Sequence, residues 1–71
     1  MLNNKFHLGQ KVQVKNTIEK QNVRLMRGTM GTIASISKDE DESTYYLIVF
    51  NEPILNQEYE ALVDEEDLEA V

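Results

Sequence analysis

Residues 44–51, Thr-Tyr-Tyr-Leu-Ile-Val-Phe-Asn, form the longest continuous apolar run in this 71-residue chain. β-branched and aromatic side chains dominate the run, and turn-forming residues flank it, with an acidic cluster before it and Asn51-Glu52-Pro53 after it. We therefore predict that it is the central strand of a sheet. Its alternation gives two apolar faces, one with Tyr45, Leu47 and Val49 and the other with Tyr46, Ile48 and Phe50. Because neither face is polar, we expect both faces to be covered.

The length of the chain allows one domain, in which only about 60% of the unfolded surface becomes buried. The sequence contains no cysteine, so neither a disulfide nor a thiolate metal site can reinforce a small core. The first residues lack the apolar run of a secretory signal, and no stretch approaches the roughly 20 apolar residues that span a bilayer. We expect a cytoplasmic protein with a flexible tail at residues 1–5 and a single domain at residues 6–71.

Charge is divided unevenly along the chain, whose net charge is −6. All seven lysines and arginines lie in residues 1–38 together with one acid, whereas residues 39–71 carry the other twelve acids and no base. The overall acidity argues against tight, sequence-independent binding to nucleic acid, which needs a clustered positive surface. The sequence leaves open a local basic strip, and equally an attraction between the two halves that only keeps the domain soluble.

Alternation of polar and apolar residues predicts a half-buried first strand at Lys11–Lys15. Before it, Phe6 and Leu8 are expected to anchor the chain to the core. Residues 16–27 contain only scattered apolar side chains and fit no regular period. We predict a long loop in this segment, with a short helix capped at the start of the segment as the alternative.

Two glycines three residues apart lead into the second predicted strand, Met30–Ser37. Glycine accepts a positive φ and lets another backbone approach closely. We predict a tight turn at Gly28 and place Gly31 within the strand or at its start. Ile33 lies on one face of this strand and Ile36 on the other, which indicates a bend. No lysine-serine pair follows the glycines, so they are not predicted to cradle a phosphate.

The acidic segment 38–43 is predicted to be a solvated hairpin connection, because it lacks the glycine and the helices of a calcium loop. After the apolar run, Ile54 and Leu55 lie in a turn, where the pair either closes the core as a plug or stays exposed for a partner. The next strand is predicted at residues 58–63. An acid-rich single helical turn, which Asp64 can cap, follows it and precedes a short final strand.

This order of elements resembles the SH3-like barrel of small bacterial and phage proteins over residues 6–71. Gly28, Gly31 and Ile33 are similar to the glycine pattern of KOW-type barrels and of the barrel in nitrile hydratase β subunits. The ending Val63–Val71 resembles the turn before their last strand. The resemblance implies an all-β, five-stranded small barrel with a one-turn helix before the last strand. We predict a core of Val12, Val14, Ile33, Ile36, Val49, Val63 and Leu68.

Catalytic and metal chemistry find little support in the sequence. His7 is the only histidine, and no cysteine can join it in a zinc site. No nucleophile-elbow motif accompanies a serine, and carboxylates in so small a domain are expected to be exposed and ionised. We therefore predict a non-enzymatic protein with no cofactor and no metal site. The chain also has no tryptophan, so the peptide binding of eukaryotic SH3 domains is not carried over.

Three binding hypotheses remain. The first is an adaptor that binds a protein, acting as a monomer or weak homodimer, with contact residues Tyr45, Tyr46, Arg24, Arg27, Lys15, Ile54 and Leu55. The second is a nucleic-acid accessory domain with a basic strip of Lys11, Lys15, Arg24 and Arg27. The third is an acidic mimic of phosphates formed by residues 39–42 and 64–69. If loops instead cover the aromatic strand, both tyrosine rings at positions 45 and 46 will be buried.

Overall fold

The computed structural model describes residues 4–20, 23–52 and 57–71, and the described chain is all-β, as predicted. The predicted turn residues Ile54 and Leu55 and the start of the predicted tail lie outside the described residues. One 3-10 helix, Glu65–Asp67, interrupts the strands. The strands are β1 Lys11–Val14, β2 Ile18–Lys20, β3 Val23–Leu25, β4 Met30–Lys38, β5 Thr44–Glu52, β6 Gln57–Asp64 and β7 Leu68–Ala70.

Five of the strands form one antiparallel sheet in the order β6-β5-β4-β1-β7, and β2 pairs with β3 in a separate hairpin. The predicted number of strands in the main sheet is therefore correct. The predicted central position of β5 is wrong, because β4 has β5 on one side and β1 on the other and so occupies the middle. Within the described residues no ladder joins β6 to β7, and the sheet is open rather than a closed barrel.

The prediction of a loop over residues 16–27 is wrong, since β2 and β3 form a hairpin there. Ile18 lies opposite Leu25, and Leu25 is buried in the core while Ile18 packs against it. In the next cross-strand pair, the side chains of Glu19 and Arg24 face each other, with a distance of 3.2 Å from Arg24 Nε to Glu19 Oε1. Each strand has only three residues, which is too short for alternation to produce a recognisable period.

The core lies on one face of the main sheet and includes most, but not all, of the predicted residues. Val49 was predicted inside, but it is half-buried on the opposite face of β5, whereas Ile36 packs against the core as a partly buried residue. Leu8 was predicted as an anchor and is instead 62% exposed. The buried apolar residues of the described chain are Phe6, Val12, Val14, Leu25, Ile33, Tyr46, Ile48, Phe50, Val63 and Leu68.

The two glycines have the roles that the sequence predicts. Gly28 has a φ of +90° in the turn before β4, and its N–H donates to the carbonyl of Val14. Gly31 lies in β4 opposite Phe50, where a Cβ would be 2.5 Å from Cγ2 of Ile48 and 2.8 Å from the carbonyl oxygen of Val49. Only glycine lets these two strands approach so closely.

A register shift between Ile33 and Ser35, where a β-bulge lies, accounts for the switch of faces from which a bend in β4 is predicted. The extra residue shifts the alternation by one, so Ile33 pairs with Ile48 and Ile36 pairs with Tyr46 on the same inner face. Both isoleucines therefore serve one core rather than two sides of a barrel.

The acid-rich turn before β7 forms as predicted. Asp64 caps the 3-10 helix by accepting a 2.9 Å hydrogen bond from the backbone N–H of Glu66, and Leu68 directly after the helix is buried. Three acids occupy the first turn, where they complement the exposed N–H groups. In the part of the chain that the structure describes, no helix has the length and apolar character needed to cross a membrane.

Candidate functional site

The outer face of the main sheet, opposite the core, carries a continuous apolar strip along β5 and its neighbours. In an antiparallel ladder, residues directly opposite each other point to the same face. Leu47 lies between Ser35 of β4 and Leu62 of β6, and Val49 lies between Thr32 and Glu60. We define the outer strip as Met30, Tyr45, Leu47, Val49 and Leu62.

The outer strip is accessible to a partner through its members on β6 and β4. Leu62 on β6 is 55% exposed and Met30 on β4 is 58% exposed, whereas the three members on β5 are half-buried. At one end, Tyr45 and Leu62 line a shallow groove together with Ser37, Lys38 and Asp39. At the other end, a second groove is lined by Lys11, Met30, Gly31, Thr32, Val49 and Asn51. The strip is thus an apolar surface with polar and charged residues around it.

Negative charge borders the outer strip along β6. Glu60 lies opposite Val49, and Asp64 lies opposite Tyr45, so both acids share the outer face with the strip. Glu58 belongs to the same alternating row of β6, opposite Asn51. On the β4 side the border is uncharged, with threonine and serine opposite the β5 residues. The surface is therefore asymmetric, with acidic residues beside the strip on β6 and uncharged residues beside it on β4.

Tyr46, a predicted contact residue, is part of the core and presents no surface to a partner in this fold. Its ring packs edge-on against Phe6, with the centroids 5.5 Å apart. The hydroxyl donates a 2.5 Å hydrogen bond to Oε2 of Glu65 and accepts one from the backbone N–H of Phe6. Burial, reinforced by the bond to Glu65, raises the pKa of Tyr46 to about 12.

The carboxylate of Glu65 joins the N-terminal segment to the 3-10 helix. Its Oε2 accepts hydrogen bonds from the Tyr46 hydroxyl and from the backbone N–H of Lys5. A glutamate that belongs to the acidic end of the sequence therefore has a structural role.

The predicted basic contact residues Arg24, Arg27 and Lys15 lie near the hairpin and the Gly28 turn. The backbone N–H of Arg27 bonds to the hydroxyl of Thr17, and that of Lys15 bonds to the carbonyl of Asp67. Arg24 is exposed and faces Glu19 across the hairpin. Lys11 lies instead on the outer face, opposite Thr32. The structure thus separates the basic residues of the predicted strip into two places.

An acidic cleft lies between the β4–β5 turn and the 3-10 helix. Among the residues that the structure describes, no group of three or more histidine, cysteine, aspartate or glutamate side chains is arranged to hold a metal ion.

His7 is exposed, and its Nδ1 lies 3.1 Å from the carbonyl oxygen of Leu8. Hydrogen bonds to Ser43 lower the pKa of Asp41, which remains an exposed turn residue.

Tyr45 is the one member of the outer strip that the sequence predicts as a contact residue, and the other four members were missed. A signal for Leu62 was present, because alternation along the predicted strand 58–63 places it on the face opposite that of Val63, a predicted core residue. Met30 and Leu47 were counted as ordinary strand residues. Which face of β5 would be covered could not be read from its alternation alone.

Comparison with protein-family models, with characterised proteins and with solved structures finds no match to this chain. Functional interpretation therefore depends on the geometry and chemistry of the surface itself.

Proposed function

We propose that this protein is a non-enzymatic binding module, an adaptor that binds another protein through the outer strip. The observation that carries the proposal is the exposed apolar surface around Tyr45 and Leu62 in a chain that otherwise has a strongly charged exterior. A contiguous apolar patch with a polar border is typical of a protein-interaction site. Tyr45 supplies the residue type in which binding energy is often concentrated.

We also propose that the open sheet is a variant of the SH3-like barrel of small bacterial and phage proteins, working in the cytoplasm. The support is the antiparallel order β6-β5-β4-β1-β7, together with one short helical turn immediately before the last strand. This classification concerns the scaffold, and an adaptor role needs only a rigid sheet that presents its outer face.

The nucleic-acid hypothesis receives less support than the adaptor hypothesis. Glu19 lies beside Arg24, and Lys11 is separated from the other bases of the predicted strip by its position on the outer face. Binding to a phosphate backbone would need these charges to act together, and it would weaken steeply with added salt. Binding to a protein through apolar side chains would depend much less on salt.

The experiment compares the wild-type protein with a Tyr45→Ser/Leu62→Lys double variant as baits in extracts of the source cells. We expect one or more proteins to be retained by the wild type and lost, by about tenfold or more, from the double variant, because a central apolar contact is worth at least about 1.4 kcal/mol. Met26→Lys is the matched control, since Met26 is a similarly exposed apolar residue outside the strip.

Retention that is equal for the wild type and the double variant would refute the outer strip as the binding surface. If Met26→Lys lowers retention as strongly as the double variant does, retention reflects nonspecific hydrophobic adhesion and not binding at the outer strip. The double variant would also disrupt a weak homodimer. Sedimentation of the wild-type protein at increasing concentration therefore shows whether the outer strip binds a second copy of the chain instead of a partner.

A further inference from the structure

We propose that the free edge of β6 binds a basic, extended segment of the partner protein as an added antiparallel strand. This inference rests on the proposed function, since it names the class of segment that the adaptor binds and the way in which it binds. Three observations support it: an edge of eight residues, the charge of the side chains along that edge, and an apolar position beside the groove at Tyr45.

The backbone of β6 has hydrogen-bonding groups available to another strand. Within the described residues β6 pairs only with β5, along its whole length from Gln57 to Asp64. The outward row of N–H and C=O groups on such an edge is a template for strand addition. The other edge of the sheet, β7, has only three residues and offers far fewer such groups.

The charge of β6 selects a basic segment. Glu58, Glu60 and Asp64 alternate along the outer face of the strand, and residues 39–71 contain no lysine or arginine to neutralise them from within β5 or β6. Opposite charges placed directly across a strand pair stabilise it, and like charges destabilise it. A segment with lysine or arginine at alternate positions therefore complements this edge.

The same charges argue against a second copy as the occupant. Antiparallel pairing of β6 with β6 of another molecule would bring Glu58, Glu60 and Asp64 of the two copies onto one face, within reach of each other. Repulsion among as many as six carboxylates would oppose that pairing. The edge is thus protected from self-association while it remains open to a basic strand.

The register of β6 predicts a sequence pattern for the bound segment. Its outer face presents Glu58, Glu60, Leu62 and Asp64 in that order, and the exposed Leu62 adjoins the groove at Tyr45. An antiparallel strand would meet these residues in reverse. The complementary pattern is basic, any, apolar, any, basic, any, basic, with the apolar side chain beside Leu62 and Tyr45.

The test uses the peptide acetyl-Lys-Thr-Leu-Thr-Lys-Thr-Lys-amide and the full chain labelled with ¹⁵N. We expect amide shifts and slowed hydrogen exchange that are concentrated in β6, since its edge N–H groups become bonded. Two further peptides have the same sequence and carry backbone N-methyl groups. One is methylated at the nitrogens of residues 2, 4 and 6, and the other at the nitrogens of residues 3, 5 and 7. In an added strand only one of these two sets of nitrogens faces β6.

Strand addition predicts that one methylated peptide binds at least about tenfold more weakly than the other, although their charge and composition are the same. Equal affinities for the two would overturn the proposal and assign the binding to charge alone. Absence of binding by the unmodified peptide, or shifts confined to residues outside β6, would overturn it as well.

Variants of the protein provide an independent test. Glu58→Lys/Glu60→Lys is expected to abolish binding of the unmodified peptide, whereas Glu40→Lys/Glu66→Lys makes the same change in net charge at exposed positions outside β6 and should retain most of it. Equal losses would again indicate general electrostatics. If the peptide tests fail while Tyr45→Ser/Leu62→Lys still loses its cellular partner, the strand-addition inference is wrong and the proposed function stands.

Discussion

The two faces of β5 have nearly the same composition and different fates. Tyr46, Ile48 and Phe50 on the inner face are completely buried, whereas Tyr45, Leu47 and Val49 on the outer face are only half-buried. The inner face has two aromatic rings and one aliphatic side chain, and the outer face has one ring and two aliphatic side chains. Both faces are apolar, so hydrophobicity alone does not decide between them. The difference arises from what lies opposite, because N-terminal Phe6 and the residues of β1 and β7 pack on one face only. A strand with two apolar faces thus gives this protein both a core and a surface for binding.

Truncation of the inner face should have the largest effect. We expect Phe50→Ala to reduce the free energy of unfolding by about 3–5 kcal/mol, since the buried ring contacts Tyr59 and fills the core. Leu47→Ala on the outer face should cost about 1 kcal/mol, because its side chain is only partly buried. Urea denaturation followed by circular dichroism measures both values. Equal losses at the two positions would show that the faces are not distinct.

Adding a side chain at Gly31, where β4 and β5 approach closely, should have the next largest effect on stability. Gly31→Ala places a methyl group against Ile48 and the backbone of β5, and we expect a loss of about 1–3 kcal/mol. Gly28→Ala is the matched control, since its φ of +90° is strained for alanine but its surroundings are open. Its expected cost is about 1 kcal/mol. If Gly31→Ala left the melting temperature unchanged, β4 and β5 would not be as close as described.

Removal of the Tyr46 hydroxyl should reduce the free energy of unfolding moderately, by an amount that depends on pH. Tyr46→Phe removes the bond to Glu65 and should cost about 1 kcal/mol at neutral pH, as measured by urea denaturation. The folded pKa is about 12 against 10.0 for an unperturbed tyrosine, so the neutral form is favoured in the folded state. This stabilisation is complete below pH 10.0 and should be lost as the pH rises towards about 12.

Denaturation of the wild type and of Tyr46→Phe across that alkaline range tests the sign of this effect. The stability difference between the two proteins should shrink as the pH rises, because only the wild type loses the contribution of the neutral hydroxyl. Tyr45→Phe serves as the control on the outer face. A constant difference between the wild type and Tyr46→Phe would contradict the role assigned to the buried hydroxyl.

Substitution at the exposed end of the outer strip should have the smallest effect on stability. Leu62→Lys is expected to change the free energy of unfolding by no more than about 0.5 kcal/mol, because the side chain is 55% exposed and leaves no cavity. Thermal unfolding measures this change. A loss of several kcal/mol would mean that the outer strip is a second core of the monomer and not a surface.

The sequence predicts the longer strands and the local devices that shape them. Alternation located β1, β4, β5 and β6, and the chemistry of glycine and aspartate located the turn at Gly28, the close approach at Gly31 and the cap at Asp64. The hairpin of β2 and β3 was missed because three-residue strands contain too little pattern.

The candidate site was less accessible from the sequence. Alternation divides β5 into two faces and cannot say which of them the rest of the chain covers, so Val49 was assigned to the core and Tyr46 to the surface. The bulge after Ile33 had a similar effect, since it changes the phase of β4 without a distinctive residue. Tertiary pairing supplied what the local pattern could not.

The pairing of β1 with β7 has a consequence for the order in which the protein folds. Val12 lies opposite Ala70, so this ladder joins segments that are far apart in the sequence. β4, β5 and β6, in contrast, each pair with the next strand along the chain. Contacts between distant segments carry a larger loop-closure entropy and limit folding rates. We expect the β4–β6 meander to form in the folding transition state and the β1–β7 ladder to form after it. Pulsed hydrogen exchange during refolding tests this order. The N–H of Lys15 reports on the β1–β7 side, because it donates to the carbonyl of Asp67 directly before β7, and earlier protection of Lys15 than of Ile48 would reverse the order.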